Sequence, residues 1–369
     1  MNAFDEIKAL RKDISKTIGC FPLYPPLELF HSMGFTPFVF WDLRHFINSF
    51  NTADKHLQAY ACSVSRRLVE FICSTSDDII DVFFMYNACD TLRNLPEIIN
   101  CCLQGKVNKP RIFKMHIPMA PEEQTKTNNY LSGRITALIR ELEKSFGVAF
   151  SPERFRQSIA LYRKMRLLNE KLEKMVAQDI ISYNLFSLIT QKGLFAKIEN
   201  HIEELESIAA HLSSSLKNEF DFPSASVIIS GILTPPAALI DALENYKIRI
   251  VGNDIATQRR SYAYTPGDTG DPCLYYRNFY RHHFPCPTLL YTGDQRLAAI
   301  KNLIYNTRAR GFIFIGEKFC EYEYFEIPYL EKKLREMGVF TLHLEISADD
   351  DSGANYMTRL EAFAELLKS

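Results

Sequence analysis

The strongest constraint on how this chain folds is the stretch GFIFIGEKFCEYEYFEIPYLEKKLREM, residues 311–337. Phe312 to Ile315 is an apolar run that reads as a buried parallel strand. Beyond Cys320, Tyr324, Ile327, Leu330 and Leu334 recur at helical spacing. A thiol placed where a strand gives way to a helix sits at the positive end of the helix dipole, which favours the thiolate that metals need. Cys320 is therefore a candidate ligand.

Two other stretches repeat the design. DVFFMYNACDTLRNLPEIIN, residues 81–100, is an apolar run, then Cys89, then a helix with an acidic first turn. AYACSVSRRLVEFI, residues 59–72, sets Cys62 ahead of a helix carrying Leu68, Val69 and Phe71. Three thiols at three helix starts, far apart in sequence, suit one polynuclear iron site better than a zinc ribbon, which needs close CxxC pairs; the chain has none. Three thiolates on a four-iron cubane would leave one iron an exchangeable ligand, which separates a Lewis-acid site from a simple electron carrier. The competing reading is three separately buried, inert cysteines. Cys20, Cys73, Cys101, Cys102, Cys273 and Cys286 read as core or surface thiols.

Strand signals near 37–41, 81–87, 111–116, 226–231, 247–252, 311–315 and 339–345 alternate with helices, the pattern of parallel pairing. Between about 122 and 218 only helical periods occur; one helix starts on Ser151 as cap with Pro152 behind it. The expected fold is α/β: two Rossmann-like units with mainly parallel sheets plus an inserted helical segment. The expected boundaries are 1–121 for an N-terminal helix and first unit, 122–221 for the helical segment, and 222–369 for the second unit. MNAFDEIKALRKDISKTIG reads as an amphipathic helix, and Trp41, in the first expected strand, reads as a core aromatic. A length of 369 residues with 47% hydrophobic content agrees with two or three packed units.

Function classes narrow on the same residues. A net charge of -1 gives no field for nucleic acid or an anionic membrane, and no apolar run approaches the ~20 residues of a membrane span. Nine cysteines without paired spacing, and no secretory signal, point to a reducing compartment and a cytoplasmic protein. Neither GxGxxG nor GxxxxGKS/T occurs, which disfavours nicotinamide binding or ATP hydrolysis by this chain. The strand ending at Gly231 and the helix start at Thr234 offer a plausible anion site.

The segments YACSVSRRL, CDTLRNL, PRIFKMHIP, ISGILTPPAALIDALENYKIRIVGNDIATQRRSY, GFIFIGEKFCEYEYFEIPYL and SGANYMTRLEAF resemble, in that order, successive blocks of the 2-hydroxyacyl-CoA dehydratase and benzoyl-CoA reductase family. The resemblance runs from about residue 25 to the end. It implies a [4Fe-4S] cluster held by Cys62, Cys89 and Cys320, a CoA thioester substrate, and a related second subunit in a heterodimer, with a homodimer as the alternative. It also implies an ATP-hydrolysing iron-sulfur activator protein that injects one electron, so that a ketyl radical anion forms and the 2-hydroxyl leaves. Within GNDIATQRRSY, Asp254, Thr257 and Arg260 match the family's DDxCTGxRxF block, while Gln258 stands for Gly and Ala256 for Cys. Arg259, Arg260 and Arg359 are the candidates for the CoA end, and His116 is a candidate proton donor with a structural role as its alternative. Three further readings stay open: a benzoyl-CoA reductase-type subunit; a double-cubane reductase, in which three cysteines per protomer hold half of a larger cluster, a thought that the adjacent Cys101 and Cys102 keep open; and a non-catalytic partner subunit.

Overall fold

Two four-stranded sheets, every strand parallel to its neighbours, organise the computed structural model, which describes residues 16–75, 80–105, 109–118, 125–216, 223, 225–289, 295–347 and 354–368. The first contains β1 (Thr17–Phe21), β2 (Thr36–Val39), β3 (Val82–Tyr86) and β4 (Arg111–Met115) in the order β2-β1-β3-β4. The second contains β5 (Ser226–Gly231), β6 (Arg249–Ile255), β7 (Gly311–Glu317) and β8 (Phe340–Ile346) in the order β6-β5-β7-β8. Both sheets therefore follow one plan. The chain steps from the first strand to one side, then crosses to the other, and a crevice opens at the carboxyl ends beside that reversal.

One of these strands was not expected. Residues 17–21 close what reads as an N-terminal helix, yet they form β1; the rest of that expected helix, residues 1–15, lies outside the described residues. TIGCF is buried at every position and pairs with β2 on one side and β3 on the other. A central parallel strand covered on both faces is a continuous apolar run without alternation, so its period cannot distinguish it from a helix end.

Thirteen α-helices are described: α1 (Leu27–Ser32), α2 (Ser63–Thr75) and α3 (Asp90–Cys102) in the first half; α4 (Thr125–Phe146), α5 (Pro152–Ala177), α6 (Tyr183–Gly193) and α7 (Ile198–Leu212) between the sheets; then α8 (Ala237–Asn245), α9 (Arg259–Tyr262), α10 (Pro272–His282), α11 (Gln295–Thr307), α12 (Glu321–Glu336) and α13 (Ala354–Lys368). Ser151 caps α5 by accepting from the Arg154 amide, with Pro152 in the first turn. Later segments fold back on the first sheet, whose core takes Tyr275, Tyr276, Phe279 and Tyr280 from α10. Buried Glu28 on α1 is what those tyrosines close over. It accepts from Arg166 at 2.5 Å and from the Tyr275 and Tyr276 hydroxyls at 3.0 Å each, so its charge is fully compensated.

The carboxyl ends of the two sheets face one another. Trp41, just beyond β2, donates from Nε1 to the Ile232 carbonyl beyond β5 at 2.7 Å, so this core aromatic also joins the two halves. Tyr24 donates to the Ala256 carbonyl at 3.0 Å, and Thr234 donates to Asp42 at 3.0 Å. Burial pushes the Asp42 carboxyl up, but Arg44 and Thr234 outweigh it and hold it at about 2. The close approach of β5 and β7 requires Gly231: a Cβ there would lie 2.6 Å from the Ile315 carbonyl oxygen, a backbone atom that cannot swing aside. Gly231→Ala should cost roughly 1–3 kcal/mol of stability, measured by urea unfolding.

Candidate metal centre

Cys89 and Cys320 occupy equivalent places in the two units. Each lies three residues beyond the third strand of its sheet, after Tyr86 and Glu317 respectively, and each is the N-cap of the following helix. Cys62 immediately precedes α2, and its carbonyl accepts from the Arg66 amide to start that helix. All three are partly buried and pack against the core around the first sheet.

The three thiols lie within range of one another's charge. Burial is the main force raising each of them. Cys62 is raised by burial, eased by the Ser65 amide and hydroxyl, and raised again by Glu317. Cys89 is pushed up to about 11 by burial, against the Leu92 and Thr91 amides, with the charge of Cys62 adding to the rise. Cys320 is raised well above the usual thiol range by burial, then by Glu323, Cys62 and Cys89. Tyr322, in the first turn of α12, feels Asp90, Cys89 and Arg93, so the openings of α12 and α3 adjoin.

Helix position alone does not make these thiols thiolates, contrary to the expectation from the dipole. The first-turn amides of Thr91 and Leu92 lower the Cys89 pKa, but no full capping hydrogen bond forms at Cys89 or Cys320, and burial with mutual repulsion wins. Three such groups ionise together only if a cation compensates them. Among the described residues no three His, Cys, Asp or Glu side chains close on one metal ion. Three thiols at three helix starts, with Cys320 in range of the charge of the other two, are of the kind and number that a polynuclear iron group would take, one per iron.

The other cysteines are placed elsewhere. Cys101 is exposed and Cys102 ends α3, roughly 18 and 20 Å along the helix from Cys89 by the 1.5 Å rise per residue. They therefore cannot extend a cluster at Cys89, which removes the support they lent to a double cubane. Cys102 instead pairs with Cys73 of α2 as a disulfide, with Cα atoms 6.1 Å apart, where free thiols were expected. Cys20 and Cys286 are buried, and Cys273 bonds to the Ser132 carbonyl.

The arginines separate into distinct roles. Arg260, expected to meet CoA, is fully buried and spends all five N–H donors inside the protein: on both Asp254 oxygens, Ser230, Cys286 Sγ and Glu323. With no donor left for a ligand, it is corrected to a structural residue. It forms, with Arg296, Asp254 and Glu323, a buried four-charge network that ties β6 to the first turn of the Cys320 helix. Arg259 is partly exposed and paired with Glu173 at 2.6 Å, while Arg359 is exposed on α13. His116 is exposed, its ring edge against Tyr130; burial and then Arg93 and Arg134 lower its pKa. No described contact carries His116 to the three thiols. Gln258, where the resembling block has Gly, is buried and accepts from the Tyr183 hydroxyl at 2.5 Å, so its side chain fastens the block to α6.

Sequence reading missed a cavity that Arg67 of α2, the helix that Cys62 precedes, helps to line. It measures about 540 Å³, lies at the facing carboxyl ends of the sheets, and is bordered by Arg44, Arg67, Gln191 and Glu317 and by the start of α8. Nothing local marks these residues: they come from both units and meet only in the folded chain.

Comparison with known proteins gives one answer. Residues 22–367 match the family model described as 2-hydroxyglutaryl-CoA dehydratase, D-component. The chain is 26% identical to lactoyl-CoA dehydratase subunit beta of Anaerotignum propionicum, covering 99% of this chain and 95% of that one. It is 25% identical to (R)-2-hydroxyglutaryl-CoA dehydratase, subunit beta, of Acidaminococcus fermentans, over 95% of this chain and 92% of the relative. Identity to a subunit of benzoyl-CoA reductase from Thauera aromatica is 24%, over 96% of this chain and 91% of the relative.

Proposed function

Since the chain belongs to the 2-hydroxyglutaryl-CoA dehydratase D-component family, we propose that it is the iron-sulfur subunit of an enzyme that removes water from a 2-hydroxyacyl-CoA, with Cys62, Cys89 and Cys320 holding a [4Fe-4S] cluster. The observation that carries this reading is the placement of three cysteines at helix starts drawn from both α/β units, with Cys320 in range of the charge of Cys62 and Cys89. When bound, such a cluster supplies low-potential single electrons and, on three protein thiolates, leaves one iron position exchangeable.

The chain's own residues support that role in three ways. The amides opening α2 and α3 lower the pKa of the cysteine at each helix start, which favours thiolate once iron supplies the compensating charge. The buried Arg260 network fixes the first turn of α12 and with it Cys320. Exposed aromatics, Tyr60 two residues before Cys62 and Phe319, Phe325 and Tyr329 around Cys320, give an apolar rim fit for a protein partner. Three of the relatives are named as subunits, so this partner is proposed to be a related second subunit. The proposal includes a separate ATP-hydrolysing iron-sulfur activator protein, and this chain carries no phosphate-binding loop of its own. A cytoplasmic location is part of the proposal; among the described residues no helix is long and apolar enough to cross a membrane.

The test is anoxic assay of the chain with its partner subunit, activator, ATP and a strong reductant. Lactoyl-CoA and 2-hydroxyglutaryl-CoA should yield the corresponding enoyl-CoA, while benzoyl-CoA should be returned unreduced. Ring reduction without dehydration would move the chain to the reductase branch.

A further inference from the structure

One disulfide joins the two helices that follow Cys62 and Cys89. Cys73 lies in the last turn of α2 and Cys102 is the last residue of α3, with their Cα atoms 6.1 Å apart. The two helices pack against one another, and by the 1.5 Å rise per residue the bond lies roughly 16 Å along α2 from Cys62 and 20 Å along α3 from Cys89. At that distance it acts on those thiols only through the helices. Each helix is fastened to its cysteine, because the Arg66 and Arg93 amides donate to the Cys62 and Cys89 carbonyls at 3.2 and 2.9 Å. The bond spans a sequence separation of 29 residues that includes β3, so it restricts independent movement of α2 and α3.

The surroundings of the bond mark it as an exchange site. The other seven cysteines are free, and one of them, Cys101, is exposed immediately beside it. A chain that keeps seven thiols, one of them in solvent, suits reducing surroundings, where a disulfide opens and closes rather than serving as a permanent staple. The two sulfurs also differ in access. Cys73 is 7% exposed whereas Cys102 is half-buried, so an incoming thiolate meets Cys102 first.

We propose that Cys73 and Cys102 form a reversible thiol–disulfide pair that clamps α2 to α3 at the ends remote from Cys62 and Cys89, so that the surrounding thiol pool sets how firmly these two cysteines are held. A small thiolate attacks Cys102 Sγ; the protein S–S bond breaks, and Cys73 leaves as a thiolate and takes a proton. A second small thiol attacks the mixed disulfide on Cys102, releasing the Cys102 thiol and a small disulfide. Two thiols are oxidised as the protein disulfide is reduced to two thiols, and closure is the reverse, with the small disulfide as oxidant. The clamp stands whatever Cys62 and Cys89 hold; its bearing on a cluster rests on the reading above.

The test equilibrates the full anoxic chain with reduced or oxidised glutathione, then traps free thiols by alkylation and locates them by peptide mass. Cys101→Ser is used for this step, so that Cys102 is the one thiol at its helix end. Reduced glutathione should open the pair and oxidised glutathione should close it. A pair still bonded in reduced glutathione, or still two thiols in oxidised glutathione, would overturn the proposal. Amide hydrogen exchange of the wild type then reads the coupling. Residues 63–69 and 90–96, at the far ends of the two helices, should exchange about tenfold faster when the pair is open. Cys73→Ser and Cys102→Ser should exchange at the open rate in both buffers, with circular dichroism showing that each is folded. Equal exchange of the open and closed wild type would remove the clamp. Iron content of the same samples reports separately on the cluster reading, and none of these outcomes depends on it.

Discussion

Arg260→Ala is expected to destabilise the folded chain by roughly 3–5 kcal/mol, the usual cost of leaving buried charges without their partner. The guanidinium lies between Asp254, at 2.8 Å, and Glu323, at 2.7 Å, and neither carboxylate reaches solvent. Arg296 touches both carboxylates but is also committed to Glu326, so it cannot compensate two anions alone. Urea unfolding checks the magnitude; Arg359→Ala, on an exposed helix face, should stay within about 0.5 kcal/mol. Acid sensitivity provides a second reading. Burial pushes the Asp254 carboxyl up, but Arg260 and Arg296 hold it at about 2. A carboxylate depressed in the folded state contributes its full stability above its unfolded pKa of about 4, and loses it as pH falls toward 2. Removing Arg260 raises that folded pKa, so the variant should unfold at a higher pH than the wild type. A variant as stable as the wild type that binds acyl-CoA less well would restore Arg260 to the substrate site.

Much of this architecture was legible because parallel strands buried on both faces are conspicuous: VFFMY and GFIFIGE can be little else when a helix period follows each. The same property hid β1, since TIGCF follows a helical period and lacks alternation of its own. The placement of Cys89 and Cys320 at helix caps follows directly from strand ends that the sequence shows. What their ionisation would be did not follow, because burial is a tertiary quantity and it outweighs the dipole that local position supplies. Arg260 illustrates the converse error. An arginine beside a helix start looks like an anion site, and only the convergence of Asp254 from β6 with Glu323 from α12 shows that its charge is already spent. The cavity at the facing carboxyl ends was beyond local reading altogether, since Arg44, Arg67, Ala237 and Glu317 are assembled from both halves of the chain.

Serine at Cys62, Cys89 or Cys320 should remove most of the iron from the protein, the largest effect expected of any single substitution. In the proposed cluster each thiolate would serve a different iron, so one hard alkoxide donor in place of sulfur would weaken the whole assembly. The fold should persist, because all three side chains are only partly buried at helix ends and serine is itself a good cap. Cys101→Ser, on the exposed face of α3, and Cys273→Ser, whose thiol already donates to the Ser132 carbonyl, should keep their iron. The decisive measurement is therefore iron and acid-labile sulfide per chain, on anoxically purified wild type and these five variants side by side. A cluster on the three cysteines predicts about four of each per chain in the wild type, Cys101→Ser and Cys273→Ser, and near none in the other three. Equal content in all six proteins, or no iron in a folded wild type, would contradict it.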